Sequence, residues 1–281
     1  MRKKIFIPLF FAALALVAWT RLSAPEQHSF ADNTTKDKLL MELITYFMQR
    51  GHFSPKIINN DLSEELYDTF LEMLDGQKRF FLKKDIAQFE RYKYALDDEF
   101  RNLNTTFFDL VYERYVQRKE EAKLLYEAML AEPFDFTKDE EINVDYESQS
   151  YPSSLRQRSE KWRKQLKFST LNIVAGKLEE EEKRAEKDAA YTPKTFEELE
   201  VEARDITKEN LANYFSLMDD VRKEDWFGSY LNAFVAQFDP HSVYFAPVDK
   251  DRFDASMSGK YQGIGARLTK RNQAIKNLRH R

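Results

Sequence analysis

The side chains that do most protein chemistry are placed here in a way that excludes more than it offers. The 281-residue chain has no cysteine, which removes disulfides, thiolate nucleophiles, Cys-ligated zinc, iron–sulfur clusters and Cys-borne lipid anchors. Its four histidines, His28, His52, His241 and His280, are scattered, with no pair at helical spacing and no zinc or calcium motif, so neither a metal nor a cofactor is expected. No serine stands three residues before a lysine and no Gly-x-Ser-x-Gly occurs, so no catalytic residue is assigned. The one acid–base cluster by eye is Asp239-Pro240-His241-Ser242. It reads as a helix stop, with Pro240 ending the preceding helix and Asp239 and Ser242 bonding local backbone.

The elements that would hold these residues are helical. Glycine is scarce at 7 and proline at 8, while aromatics reach 14% and charged residues 33%, a composition for long, charged, well-packed helices rather than β or phosphate-loop folds. The spacing predicts a helix over 32–50, with Gly51 ending it, and a second capped by Asp61 or Ser63 and stopped at Asp75-Gly76. A single helix carrying Ile86, Phe89, Tyr92, Leu96 and Phe100 follows, then another over about 105–131. Residues 134–152 alternate loosely and suggest a short strand or extended arm. Beyond them come a helix from about Ser154 running into the Glu/Lys blocks of 177–187, a helix over 195–220, and one over 223–238. The last bears the apolar stripe Trp226, Phe227, Tyr230, Leu231, Phe234, Val235 and Phe238, read as core. The run 177–187 reads as a bare solvated helix, and Lys161, Arg163, Lys164 and Lys167 as solvated surface.

The first 24 residues have the layout of an export signal. Arg2, Lys3 and Lys4 precede an apolar run from Ile5 to Trp19, which as a helix spans only ~22 Å against a hydrocarbon core of ~30 Å. A cleaved signal is expected, with an uncleaved N-terminal anchor as the alternative because Leu22 two places before Ala24 suits cleavage poorly; membrane contact is expected only in that case. Without residues 1–21 the chain keeps 40 basic against 48 acidic residues, a net of −8, so no nucleic-acid partner is expected.

Two blocks of residues are more specific than any composition. One runs Phe238-Asp239-Pro240-His241-Ser242-Val243-Tyr244-Phe245-Ala246-Pro247, then Met257-Ser258-Gly259, then Gly263-Ile264-Gly265-Ala266-Arg267-Leu268. The other comprises His52-Phe53-Ser54-Pro55 and Asp75-Gly76-Gln77-Lys78-Arg79-Phe80-Phe81-Leu82-Lys83-Lys84-Asp85-Ile86. Over about residues 35–268 the chain resembles the N-terminal part of the tail-specific, or carboxy-terminal processing, proteases.

That resemblance implies an exported, periplasmic serine peptidase whose PDZ domain receives the free C-terminus of protein substrates and whose later domain cuts with a Ser–Lys dyad. Adaptor proteins are possible further partners. It implies a mainly α fold: residues 1–24 a signal or anchor, 30–255 a multi-helix domain, and 256–281 the β stub of an incomplete PDZ domain. Gly263, Ile264, Gly265 and Ala266 would then bind the substrate's terminal carboxylate, since glycines let consecutive backbone N–H groups converge on an anion. Family members continue past the position of Leu268 into the rest of the PDZ and the peptidase domain, whereas this sequence runs from Thr269 to Arg281. The expectation is a scaffold and substrate-docking region without hydrolysis of its own. A free-standing exported helical protein-binding module is the alternative.

Overall fold

In a computed structural model, the residues described are 33–258, 267–271 and 274–278. Residues 1–24, the expected export signal, lie outside them, as do Gly263, Ile264, Gly265 and Ala266. The described chain is mainly helical. Its helices are α1 (Asn33–Arg50), α2 (Asn60–Asp75), α3 (Lys83–Phe89), α4 (Leu96–Asn102), α5 (Thr106–Met129), α6 (Leu155–Lys187), α7 (Phe196–Asp220), α8 (Lys223–Ala236) and α9 (Pro247–Ser258). A hairpin follows, β1 (Arg267–Arg271) paired antiparallel with β2 (Ala274–Leu278), with Thr269 opposite Lys276. These strands pair with each other alone among the described residues, and two short strands do not establish a PDZ stub.

Local chemistry sets the helix ends. The cap of α2 is Asn59, whose side chain accepts the Leu62 N–H at 3.2 Å, rather than Asp61 or Ser63. Ser63 is buried instead, bonding the Asp97 carboxylate at 2.8 Å and accepting the Asp97 N–H at 2.7 Å. Ser154 caps α6, accepting the Gln157 N–H at 3.2 Å. Thr195 and Glu198 exchange bonds at the start of α7, at 3.3 and 2.9 Å, a reciprocal capping box that closes two otherwise open donors. The single helix expected across 83–102 is broken into α3, a 3₁₀ turn at Glu90–Tyr92, and α4. Its apolar spacing survives because each piece still buries its face: Phe89, Leu96 and Phe100 are all fully covered. Of the short strand or extended arm expected within 134–152, no strand forms; that segment is irregular, with turns.

Aromatic rings form most of the core. Phe234 of α8 stacks on Phe100 of α4 at 3.9 Å, and Tyr230 meets Phe70 of α2 edge-on at 4.9 Å. The α8 stripe is core as expected, except Trp226, which is half-buried against Tyr115. A second, smaller cluster of Val174, Leu199 and Ala203 joins α6 to α7, and there the buried Thr170 and Thr207 hydroxyls bond at 3.1 Å.

Two charged stretches are less solvated than their composition suggests. Within 177–187, Glu181 is buried and accepts both the Tyr191 hydroxyl at 2.6 Å and the Lys194 N–H at 2.9 Å, closing the α6–α7 turn. Earlier in α6, Arg163 and Lys167 both pair with Glu140. Lys161 bonds Gln149 at 2.7 Å and Lys164 the Glu141 carbonyl at 3.1 Å. All four therefore face the irregular 134–152 segment, which the α6 surface holds in place in lieu of a sheet.

Asp75 does the work expected of Gly76. Gly76 keeps right-handed helical geometry (φ −56°), while the buried Asp75 carboxylate accepts N–H groups from Arg79, Phe80 and Phe81 at 2.8–2.9 Å. Burial pushes its carboxyl up to about 7 against those three donors, and burial likewise raises Glu99 to about 7. Both groups bind protons more tightly folded than unfolded. Their stabilising contribution is therefore full below about pH 4 and is lost as pH rises through about 7. Urea unfolding is expected to show lower stability at pH 8 than at pH 5, and Asp75→Asn to flatten that dependence; an unchanged slope in the variant contradicts the assignment. Asp75→Ala, leaving three N–H donors unmet, is expected to cost about 3 kcal/mol or more. Phe234→Ala is expected to cost about 3–5 kcal/mol in the same assay and Trp226→Ala less, since Phe234 alone is fully enclosed.

Candidate functional site

The two sequence blocks meet in space. Gly51 ends α1 with its N–H on the Phe47 carbonyl at 2.8 Å, and a Cβ there would crowd the Phe47 ring at 3.2 Å. This turn delivers His52 to the chain leaving α8. There its Nε2 bonds the Ser242 hydroxyl at 3.1 Å, its Nδ1 faces the Ser54 carbonyl at 2.9 Å, and its ring meets Phe238 edge-on at 5.9 Å. The Ser54 N–H also approaches Nδ1, at 3.2 Å, so the tautomer sets the direction of both bonds. Nδ1–H donating to the Ser54 carbonyl leaves Nε2 to accept from Ser242, and Nδ1 accepting from the Ser54 N–H leaves Nε2–H to donate to the Ser242 hydroxyl.

Beyond α8 the chain is fixed at each step. The Asp239 side chain accepts the His241 N–H at 2.9 Å and its carbonyl the Ser242 N–H at 3.1 Å, the local backbone bonding expected. The Ser242 hydroxyl departs from that expectation by reaching His52, 190 residues away in sequence. Asn232 of α8 then clamps Tyr244, accepting its N–H at 2.7 Å and donating to its carbonyl at 3.0 Å. The next residue, Phe245, stacks on Phe253 of α9 at 5.1 Å.

These pieces line an open, groove-like cavity of about 570 Å³ with Ile44, Phe47, Met48, Val235, Val243 and Phe245 as its apolar wall and His52, Asp239 and Ser242 as polar members. Phe53, on its rim, is 99% exposed. An apolar pocket of this size with a few placed polar groups suits apolar side chains. The backbone of Ser54, rather than a carboxylate, faces Nδ1 of His52, and no lysine lines the cavity among the described residues. Among the described residues no cluster of His, Asp or Glu is placed to hold a metal ion, and no helix is long and apolar enough to cross a membrane.

The fold and this junction define a class: a helical domain in which a turn after the first helix and the segment after α8 are tied together and to the core. A sequence profile of the family described as tail specific protease N-terminal domain matches residues 44–248, and the chain belongs to that family. The tail-specific protease of Haemophilus influenzae is 23% identical over 252 residues, 89% of this chain and 33% of that protein. The chain thus spans about a third of the length of the curated relative it matches.

Sequence reading found both blocks and missed that His52 and Ser242 are partners, since nothing local marks a bond across most of the chain. Asn232 was missed too; its only signal is a lone carboxamide amid an aromatic stripe. Asn232→Ala is expected to free the Tyr244 N–H, costing about 1–3 kcal/mol. Hydrogen exchange at that amide should accelerate while the α2 amides stay protected; unaltered exchange at Tyr244 shows that the clamp holds nothing.

Proposed function

We propose that this chain acts as the scaffold and substrate-docking region of an exported, periplasmic C-terminal-processing serine peptidase. The family's reaction in this reading is endoproteolysis, by a Ser–Lys dyad, of proteins recognised by their C-terminal tails. The observation that carries it is the family match across the helical body, joined to a junction in which two distant blocks fix the chain's exit. A scaffold that positions later domains needs a departure angle set by packing and hydrogen bonds, and the His52–Ser242 and Asn232–Tyr244 contacts provide one. In this reading the N-terminal segment directs export, and Gly263, Ile264, Gly265 and Ala266 begin a PDZ domain and help hold the substrate carboxylate. The cavity beside Phe53 gives apolar segments of a substrate or adaptor a first contact. A free-standing exported binding module draws on the same exposed rim, Phe47, Phe53 and Val243.

A chimera separates the two readings. With residues 30–255 of this chain in place of the matching region of the Haemophilus influenzae protease, cleavage of a reporter with a free apolar tail is expected to persist. Phe53→Asp within it should slow cleavage several-fold. A correctly folded chimera that binds the reporter without cleaving it favours the free-standing module.

A further inference from the structure

The segment between α5 and α6 is about 25 residues long without regular structure, and long structured loops of this kind commonly serve a ligand. Between it and the first turns of α6 lies a cavity of about 550 Å³, walled by Asn143, Tyr146, Gln149, Lys161, Lys164 and Gln165 among others. Its charges are sorted. Arg163 and Lys167, on the neighbouring faces of α6, share Glu140, and Arg163 also pairs with Glu160, two cations against two carboxylates. Lys161 and Lys164 line the cavity, one turn apart, and hold only neutral oxygens: the Gln149 carboxamide for one and the Glu141 carbonyl for the other.

Each ammonium has three donors, of which those bonds use one. Lys161 also sits 5.6 Å over the Tyr146 ring, and burial lowers its pKa despite the field of Asp75, so its charge is under-compensated where it stands. The two carboxylates on the cavity wall do not supply the balance: Glu160 is engaged by Arg163 and Glu141 is solvent-exposed. Deeper in, both carboxamide atoms of Gln165 are shut off from solvent without a hydrogen-bond partner among the described residues. An unmet buried amide is costly. The broad outer torsion of a glutamine lets it turn toward the cavity it already lines.

We propose that this cavity binds a small organic oxyanion bearing an amide, its carboxylate or phosphate between Lys161 and Lys164 and its amide against Gln165. An oxyanion gives the ammoniums charge-assisted partners, and an amide, being both donor and acceptor, gives Gln165 a partner whichever of its two idle atoms faces the cavity. The site is separate from the junction cavity and from residues 263–266, and does not rest on the peptidase reading.

Calorimetric titration of the chain at fixed ionic strength tests it with N-acetylglycine, its uncharged counterpart N-acetylglycinamide, and inorganic phosphate. N-acetylglycine should bind at least tenfold more tightly than N-acetylglycinamide. The Lys161→Gln/Lys164→Gln double variant should abolish that preference, and Gln165→Leu should weaken N-acetylglycine while sparing phosphate. Circular dichroism checks that each variant folds, and Lys164→Gln alone, which gives up one bond to an exposed carbonyl, should weaken both anions if the double variant unfolds. Tight binding of phosphate with none of N-acetylglycine overturns the amide contact and the proposal with it. Heats no larger than a sodium chloride control, or anion binding unaltered in the lysine variants, overturn the site altogether.

Discussion

A buried carboxylate, Asp75, accepts three successive backbone N–H groups, and the packing of the helical body depends on it. With Arg79, Phe80 and Phe81 tied to one side chain, the chain beyond α2 turns inward instead of continuing as helix. That turn exposes the carbonyls of Arg79 and Phe80 to α6, where the Trp162 indole N–H takes one at 2.9 Å and the Arg158 guanidinium the other at 3.2 Å. It also sends Phe80 between Tyr115 and Trp162 and Phe81 against Phe89. Three N–H bonds to a carboxylate resist protonation, but burial outweighs them. The structure thus holds a strained electrostatic position in return for a fixed turn.

Ten residues on, a second buried carboxylate carries the constraint into α5. Asp85 accepts the Leu82 N–H at 2.9 Å and receives the Arg118 fork at 2.8 and 2.9 Å, with Arg114 beside it. Burial acts to raise this carboxyl, and the two guanidiniums and the N–H overcome it, so its pKa is lowered where that of Asp75 is raised. Arg118 continues to Glu121, which also takes Arg158 at 2.6 Å. A chain of paired charges therefore runs from α3 through α5 to α6. Buried pairs of this kind add little net stability compared with apolar packing. Their effect is on orientation, since removing one member strands another charge.

The contrast between these two aspartates explains what could be read from sequence. Apolar spacing located the helices because burial of one face is a local, periodic demand, and the α8 stripe around Phe227, Tyr230 and Phe234 obeys it. Charge and hydrogen-bond roles are not periodic. Asp75 reads as a helix stop because nothing periodic marks the N–H groups it gathers four to six residues on. Asp85 carries no local sign of Arg118, 33 residues away, and the α6 lysines and arginine read as solvated because their partners stand 12 to 27 residues off. The break between α3 and α4 was hidden for a related reason: Phe89 before it and Leu96 and Phe100 after it keep the apolar spacing of one helix, and all three are buried. In the junction cavity both motif blocks were visible, while the His52–Ser242 bond that unites them was not.

How firmly the junction directs the departing chain follows from the order of its contacts. A hydrogen bond between two exposed groups competes with water and nets little. Asn232 differs, since it stands on a helix whose neighbours Leu231, Ala233 and Phe234 are all buried, so the backbone from which it reaches Tyr244 is held by the core. The same holds for Phe238, buried in the core and contacting both Phe234 and His52. The departing segment is therefore clamped against parts already immobilised by the aromatic core, and Gln237 adds a bond to Thr69 of α2 at 3.1 Å. Loosening the clamp without disturbing the core is possible in one direction alone: the core can persist without the exit geometry, but the exit geometry cannot persist without the core.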